Sequence, residues 1–239
     1  MGDIYIKELV MKYNDAPVID HISEHIQDGE LYAFLGASGS GKTTLLKLIA
    51  GLQDADSGVV EVNGNNIMKF NKKQMLEYHK NSGFVFQNAA LISNMSIYEN
   101  LSLYYNYHTD MKDKEIYEKI KKYLDYFEFD NDLTLRPASL SMGERMVINI
   151  IRAISHEPEY IFWDNPATAL DIHYQRKVKN IIMDLKKERR TMILSTGDFG
   201  FAASIADRIG VMYRGRIIEY GTPEEIKNSN LEITKNLIG

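Results

Sequence analysis

Cysteine is absent from the 239 residues, and basic side chains are outnumbered by acidic ones. The absence of cysteine excludes disulfides, cysteine-ligated zinc and thiol chemistry. Lysine and arginine total 28 against 33 aspartate and glutamate residues, which gives a formal net charge of −5. Because proteins that bind nucleic acid through its phosphates usually carry a basic excess, we expect no nucleic-acid partner.

Long apolar runs, internal repeats and low-complexity tracts are also missing. A membrane-spanning helix needs roughly 18 or more consecutive apolar residues, and the N-terminal residues lack the basic and apolar regions of a signal peptide. The sequence therefore predicts a cytoplasmic chain. If this chain serves a membrane, another chain must supply the membrane-spanning part.

A glycine-rich segment at residues 36–43 matches the phosphate-loop pattern G-x-x-x-x-G-K-[ST] in full. It follows the apolar run 31–35, which predicts a buried strand, and a helical pattern begins at Lys42. Glycines let the backbone approach phosphate oxygens, and the N-terminus of a helix favours negative charge. We expect Lys42 to bridge the β- and γ-phosphates of a nucleotide and the Thr43 hydroxyl to ligate Mg²⁺. The predicted nucleotide-binding residues of this segment are Gly36, Ala37, Ser38, Gly39, Ser40, Gly41, Lys42, Thr43 and Thr44.

A second apolar run, residues 160–163, ends at Asp164. In α/β proteins, ligands bind outside the carboxyl ends of the parallel strands. We therefore expect this carboxylate beside the phosphate loop, where it would orient the water of a bound Mg²⁺. A strand-ending aspartate can also be a simple cap, but its pairing with a phosphate loop favours the functional interpretation.

Strand and helix patterns alternate along the chain, which predicts an α/β fold. The expected architecture is a P-loop NTPase core with a mainly parallel sheet, an antiparallel β subdomain and a helical insert. Residues 88–150, rich in tyrosine and helix-forming residues, predict the insert. Its aromatic side chains are expected in or beside a core rather than around a ligand. The other predicted elements are a strand over 4–11, a short strand before a turn at 28–30, a helix over 173–190, a strand over 191–195, a hairpin over 208–220 and a last helix from Thr222.

The segment Leu140–Glu144 reads Leu-Ser-Met-Gly-Glu and lies about 20 residues before Asp164. With the phosphate loop before it and Asp164 after it, this order resembles the ATP-binding subunits of ABC transporters. In that family a signature of sequence L-S-G-G-Q contacts the γ-phosphate held by a partner subunit. The resemblance implies that Ser141, Gly143 and Glu144 act on the nucleotide of a second nucleotide-binding subunit, in a homodimer or a heterodimer.

The resemblance assigns further residues along the chain. It implies that Tyr13 stacks on adenine, and that Gln87 ligates Mg²⁺ together with Thr43 and Asp164. The segment Ala169–Asp171 resembles the D-loop of the family. The implied cofactors are ATP and Mg²⁺. The implied partner is a membrane permease subunit, with this chain peripheral on the cytoplasmic face of the membrane.

The likeness covers essentially the whole sequence, so it implies that residues 1–239 form a single ATP-binding cassette. A core lobe would comprise about residues 1–87 and 151–239. A helical subdomain would comprise about residues 88–150.

A finer likeness concerns the kind of transporter. Residues 86–91 and 94–100 resemble the Q-loop region of the ATPases that serve Mce-type phospholipid transport. Residues 204–208 fit the same group. The likeness implies lipid transport as one candidate task.

Two positions at the γ-phosphate depart from the family pattern. Where the family has a glutamate that polarises the attacking water, this sequence has Asn165, whose amide cannot accept a proton. Where the family has a histidine that bonds the γ-phosphate, it has Gly197. Met142 adds bulk inside the signature. Because losing a positioned general base costs about 10²–10⁴-fold in rate, we expect weak or absent hydrolysis at this site.

Three functions remain open at this point. The first is a transporter subunit, in which ATP-driven dimer closure moves a separate membrane protein. The second is a non-transport regulatory protein that uses ATP as a clamp, and the third is a fully active homodimeric ATPase with another base. A single cassette with a short insert favours the first. The sequence indicates neither the substrate nor the direction of transport.

Overall fold

Two β-sheets organise the protein in the computed structural model, which describes residues 2–168 and 170–239. Some strands alternate buried and exposed residues, as in sheets with one covered face, whereas others are buried throughout. The strands are β1 Ile4–Tyr13, β2 Ala16–Ile26, β3 Leu31–Leu35, β4 Ser57–Val62, β5 Asn65–Asn66, β6 Ser82–Val85, β7 Tyr160–Asp164, β8 Thr191–Thr196, β9 Arg208–Tyr213 and β10 Arg216–Gly221.

The first sheet is antiparallel, with its strands in the order β2-β1-β4-β5. Within the described residues, the second sheet has six strands in the order β10-β9-β3-β8-β7-β6. All its neighbours pair in parallel except β10 and β9, which form the predicted hairpin. The sequence-based fold class, a mainly parallel sheet with an antiparallel sheet and helices, is confirmed.

Helices cover the parallel sheet and begin at recognisable caps. Ser96, Ser141 and Thr222 each cap a helix and form a capping box with the glutamate three residues later. No helix in the described part of the chain has both the length and the apolar character that crossing a bilayer requires. The helices are α1 Lys42–Ile49, α2 Lys72–Lys80, α3 Ile97–His108, α4 Asp113–Phe127, α5 Met142–Ile154, α6 Ile172–Lys187, α7 Phe199–Ala203, α8 Pro223–Lys227 and α9 Glu232–Ile238.

The core lies on both faces of the parallel sheet, and β3 shows how one strand serves both. Leu31, Ala33 and Leu35 belong to the cluster that includes residues of α3, α4, α5 and α6. Tyr32 and Phe34 belong to the cluster formed with α1 and the antiparallel sheet. Because side chains alternate across a strand, a strand with two covered faces reads as a continuous apolar run.

Tyrosines of the helical segment lie mostly in or against the core, as expected from the sequence. Tyr105 is buried, and its hydroxyl donates to the carbonyl oxygen of Ser155. Tyr107, in contrast, is 75% exposed. The tyrosines partly buried against the core are Tyr98, Tyr104, Tyr123 and Tyr126.

Element bounds differ from the sequence-based predictions in several places. The strand expected to be short, β2, has 11 residues, because pairing with β1 extends it beyond its apolar residues. The helix predicted from Thr222 is only five residues long and is followed by α9, so it is not the last. Between residues 57 and 85 the chain forms β4, β5, α2 and β6, none of which the sequence patterns predicted.

Candidate nucleotide-binding site

A cleft of about 480 Å³ opens at the carboxyl edge of the parallel sheet. Four strands deliver residues to it: β3 leads into Gly36, β6 leads toward Gln87, β7 leads into Asn165 and β8 leads toward Gly197. This volume lies within the usual range for small-molecule sites, roughly 300–1,000 Å³. The lining residues are Val18, Gly36, Ser38, Gly39, Gly41, Lys42, Thr43, Thr44, Gln87, Asn165, Thr168, Thr196, Gly197 and Asp198.

The predicted phosphate loop wraps between β3 and α1 in a shape that only glycine allows at two positions. Gly39 and Gly41 have φ angles of +78° and +104°, in the region that favours glycine. A Cβ at Gly41 would also lie 2.6 Å from the carbonyl oxygen of Val18. Gly41 stands at the N-terminus of α1, where backbone N–H groups and the helix dipole attract anions.

The hairpin formed by β9 and β10 is hydrogen-bonded to this loop. The N–H of Gly215, in the turn between β9 and β10, donates to the carbonyl oxygen of Ser40 at 3.1 Å. The N–H of Asp20 in β2 donates to the carbonyl oxygen of Gly215 at 2.9 Å. The turn at Gly215 is therefore bonded both to the phosphate loop and to β2.

Lys42 lies over the loop with its ammonium held by backbone oxygens. Its Nζ donates to the carbonyl oxygens of Gly36 at 2.7 Å and Ala37 at 2.8 Å. Only 7% of the residue is exposed, and this burial lowers the pKa of the ammonium, while the charge of Asp164 acts in the opposite direction. A bound phosphate would offer this cation stronger acceptors than the two carbonyls.

Thr43 and Asp164 meet beside the loop. The Thr43 hydroxyl donates to Asp164 Oδ1 at 2.9 Å, and the Ser195 hydroxyl donates to the same oxygen. Asp164 is 2% exposed, and Gln87 lines the same cleft. A hydroxyl, a carboxylate and an amide oxygen are hard oxygen donors of the kind that Mg²⁺ prefers, so these residues fit the predicted metal.

Asn165 follows Asp164 and lines the cleft, with φ at +49°. Its N–H donates to the carbonyl oxygen of Ser195 at 2.9 Å, and its own carbonyl oxygen accepts from the Thr168 N–H at 3.3 Å. Asparagine enters this left-handed region more readily than most residues. The backbone at this position therefore suits asparagine better than glutamate.

Gly197 lines the same cleft after the neighbouring strand β8 and has no structural need to be glycine. Its φ is outside the left-handed region, and an added Cβ would meet only the carbonyl oxygen of Gly36, at 3.5 Å. The next residue, Asp198, lines the cleft and caps α7 by accepting from the Phe201 N–H at 2.9 Å. The lack of a side chain at Gly197 is thus not imposed by crowding.

The signature-like residues do not line the cleft in the single chain. Ser141 caps α5: its Oγ accepts from the Glu144 N–H at 3.2 Å, and Glu144 Oε2 accepts from the Ser141 N–H at 2.7 Å. These hydrogen bonds hold the pKa of Glu144 below its usual range. Met142 is 41% exposed beside them, and Gly143 is the next residue of the helix. The start of α5 is thus free to face another molecule.

Tyr13 and Asp171 also lie outside the cleft lining. Tyr13 ends β1, is 49% exposed, and its hydroxyl accepts from Gln53 Nε2 at 2.6 Å. Asp171 caps α6 by accepting from the Tyr174 N–H at 2.9 Å. Of the predicted D-loop segment, Ala169 is outside the described residues.

Several cleft residues were missed by the sequence analysis. Thr196 follows a predicted strand at the carboxyl edge, and a hydroxyl at that place was a usable signal. Thr168 follows Asp164 closely in sequence. Val18 offered no local signal, because the antiparallel sheet brings it to the cleft from a distant part of the chain.

Comparison with known proteins agrees with this geometry. The family model described as ABC transporter matches residues 19–168. The sulfate/thiosulfate import ATP-binding protein CysA 2 of Shewanella oneidensis is 36% identical over 227 residues, covering 93% of this chain and 63% of that protein. The oligopeptide transport ATP-binding protein OppF of Streptococcus mutans is 34% identical over 220 residues, covering 90% of this chain and 71% of that protein.

A solved dimeric bacterial ABC transporter cassette shares the fold. It matches with a TM-score of 0.86 at 24% identity, over 92% of this chain and 98% of that chain. The present chain spans a little under two thirds of the length of CysA 2. The family model covers well over half of the chain. The chain therefore belongs to the ABC transporter family.

Proposed function

We propose that the chain is the ATP-binding subunit of an ABC transporter, which couples ATP-driven dimer closure to a separate membrane subunit. The observation that carries this proposal is a cleft lined by the phosphate loop, with Asp164 bonded to Thr43 behind it and the signature-like start of α5 left outside the lining. The cleft offers residues that can bind phosphate, but the signature-like residues of the same chain do not reach it. Such a cleft suits a site that a second subunit completes. The import ATP-binding proteins among the relatives support the same role.

In this proposal ATP lies with its phosphates on the loop 36–44 and its adenine on Tyr13. Lys42 leaves the carbonyls of Gly36 and Ala37 for the β- and γ-phosphates. Mg²⁺ is held by Thr43, Asp164 and Gln87. The metal supplies charge neutralisation at the phosphates.

Hydrolysis at this site is proposed to be weak. Asn165 cannot take a proton from water, and Gly197 offers no donor to the γ-phosphate. Lys42, Thr43 and Asp164 remain to hold the nucleotide. A site of this kind binds ATP and closes around it but turns it over slowly.

A second nucleotide-binding subunit completes the proposed machine, as a homodimer or a heterodimer. Ser141, Gly143 and Glu144 would contact the nucleotide of that partner, and Asp171 would lie near the subunit boundary. The chain would act as one cassette, with a core lobe of about 1–87 and 151–239 and a helical subdomain of about 88–150.

The membrane subunit is proposed to dock beside Gln87, on the cytoplasmic face of the membrane. Ile92 is 39% exposed there, with Leu91, Met95 and Tyr98 partly buried around it. The ring of Phe86 lies 4.4 Å from that of Phe84, which lines a small apolar depression together with the half-exposed Leu52. Apolar surface thus continues along this side of the molecule and suits an apolar segment of a permease.

Lipid transport is the finer proposal, and it rests on the likeness of residues 86–91, 94–100 and 204–208 to Mce-system ATPases. Substrate contacts would lie on the membrane partner. A regulatory protein that uses ATP as a clamp is the alternative. The identity of the membrane proteins that co-purify with the chain distinguishes the two.

Measuring ATP binding by a variant that lacks the Lys42 ammonium tests the core of the proposal. We expect Lys42→Ala to abolish most Mg·ATP binding in titration calorimetry, because the ammonium is the point charge set against the phosphates. Lys47→Ala is the matched control, since Lys47 lies on the same helix but outside the cleft lining. Undiminished affinity in Lys42→Ala would refute the phosphate-loop assignment.

A further inference from the structure

The turn that carries Gln87 has an unusual backbone. Ala89 and Ala90, which follow it, have φ angles of +64° and +37°. The Ala89 N–H closes the turn by donating to the carbonyl oxygen of Phe86 at 3.0 Å. Left-handed conformations are unfavourable for alanine and persist only where the surroundings hold them in place. Some other group must therefore stabilise this turn.

The side chain of Asn149, on α5, stabilises the turn. Asn149 is fully buried, and its Nδ2 donates to the same Phe86 carbonyl oxygen at 2.9 Å. Its Oδ1 accepts from Arg152 at 3.3 Å, and Arg152 also donates to the carbonyl oxygen of Ala90 at 3.1 Å. Both ends of the turn are thus bound by residues one helical turn apart on α5.

Asn149 is polar in an otherwise apolar stretch. Its neighbours in sequence, Val147, Ile148, Ile150 and Ile151, are all buried without any exposed area. A buried amide is costly unless it is hydrogen-bonded, and a small apolar residue would pack in its place without that cost. The amide is therefore explained by its bond to the turn rather than by packing.

Helix α5 is also fixed directly to the strand that leads into the turn. A Cβ added at Gly83 in β6 would lie 2.0 Å from the carbonyl oxygen of Ala153, so the two backbones are in contact. At its N-terminus, α5 is capped by Ser141. At 1.5 Å per residue, Asn149 lies about 12 Å along the helix from that end.

We propose that Asn149 is a positioning residue of the nucleotide site, which holds the strained turn Phe86–Ala90 and thereby sets Gln87 for Mg²⁺. The inference rests on the proposed function, in which Gln87 ligates the Mg²⁺ of bound ATP. Because the same helix starts at Ser141, the helix links the surface offered to a partner subunit with the metal side of the chain's own cleft.

The test compares Asn149→Ala, Gln87→Ala and the double variant by ATP titrations with Mg²⁺ and in EDTA. We expect each single change to reduce the gain in ATP affinity that Mg²⁺ provides by roughly tenfold, the size usual for groups that orient metal ligands. The double variant should lose no more than either single one, because both changes act through one ligand. Hydrogen exchange of the amides at 87–90 should also speed up in Asn149→Ala.

Asn100→Ala is the matched control. Asn100 is equally buried, and its amide bonds the N–H and carbonyl oxygen of Ile92 at 2.8 and 3.1 Å, further along the same segment. Its loss should lower stability but leave the Mg²⁺ dependence of ATP binding unchanged. The assignment is overturned if Asn149→Ala keeps the native Mg²⁺ dependence, if its effect adds in full to that of Gln87→Ala, or if Gln87→Ala has no effect. Failure of the unaltered chain to bind ATP would instead refute the proposed function.

Discussion

At the two cleft residues that follow β7 and β8, the departures from the family pattern differ in their structural basis. Asn165 occupies a left-handed backbone at φ +49° that suits asparagine, whereas Gly197 has an ordinary backbone and room for a Cβ. A histidine at 197 should therefore be accepted without strain. A glutamate at 165 should lower stability by only part of the roughly 1–2 kcal/mol by which left-handed backbone is disfavoured, because asparagine already bears some of that cost.

Restoring both side chains tests whether they limit hydrolysis. We expect the native chain to turn over ATP more slowly than about 1 s⁻¹, at the low end for enzymes. Asn165→Glu with Gly197→His should raise turnover by roughly 10²-fold or more at similar ATP affinity, because a base and a γ-phosphate donor return. Steady-state phosphate release measures this.

The matched control for that experiment is Asn165→Gln with Gly197→His. Glutamine has the length and backbone strain of glutamate but cannot accept a proton, so turnover should rise much less than in the variant with glutamate. Native turnover at or above about 1 s⁻¹ would contradict the weak-hydrolysis proposal. A slow native chain that does not respond to the double change would point to Met142 or to a missing partner subunit.

Local sequence patterns singled out Lys42 and Thr43, which line the cleft, and Asp164, which bonds Thr43 beside it. Lys42 and Thr43 belong to one short motif, and Asp164 ends an apolar run, so both signals are contiguous in the chain. Val18 and Asn149 reach the cleft or its supporting turn only through sheet pairing and helix packing. No pattern around either residue predicts that contact.

Among the elements, β6 and α5 depend on each other through Gly83. An added Cβ would lie 2.0 Å from a backbone oxygen of α5, which cannot move aside as a flexible side chain would. Gly83→Ala should lower the free energy of unfolding by about 1–3 kcal/mol, the usual cost of overpacking. Urea unfolding, with the midpoint and slope compared between variants, measures the change.

Gly197→Ala is the control, because it makes the same glycine-to-alanine change at an uncrowded position. Its added Cβ meets only an ordinary contact, 3.5 Å from the carbonyl oxygen of Gly36. We expect no loss of stability, and a gain of about 0.4–1 kcal/mol from the stiffer unfolded chain. Equal shifts in the two variants would show that the contact of α5 with β6 is unimportant.

The long apolar and periodic elements were predictable, and the short ones were not. Runs such as 31–35 and 191–195 became β3 and β8, buried throughout because both sheet faces are covered. The capping box at Thr222 correctly marked a helix start. The two-residue strand β5 and the short strand β6 are held by neighbouring strands, and their own sequences carry too few residues for a pattern.

For the molecule as a whole, the order of motifs along the sequence indicated the family before any geometry was known. We predict that the whole protein contacts a membrane subunit. A photocrosslinker at Ile92 should capture a membrane protein in native membranes, because this exposed apolar position lies beside Gln87 in the proposed docking surface. Mass spectrometry identifies the captured chain.

A crosslinker at Tyr220 is the control for exposed aromatic surface in general. Tyr220 is 65% exposed and belongs to β10. It should not capture the same membrane protein. Capture of soluble proteins alone from Ile92 would remove the support for a transporter and favour the regulatory alternative.

The brace between Gly215 and Ser40 also bears on how the protein is made. The ribosome completes the phosphate loop well before the hairpin that bonds the loop at Ser40 and is itself bonded by Asp20. At a synthesis rate of about 5–20 residues per second, the interval is on the order of ten seconds. During that interval the nascent loop lacks this hydrogen bond, so the growing chain should bind ATP tightly only after β9 and β10 have emerged from the ribosome.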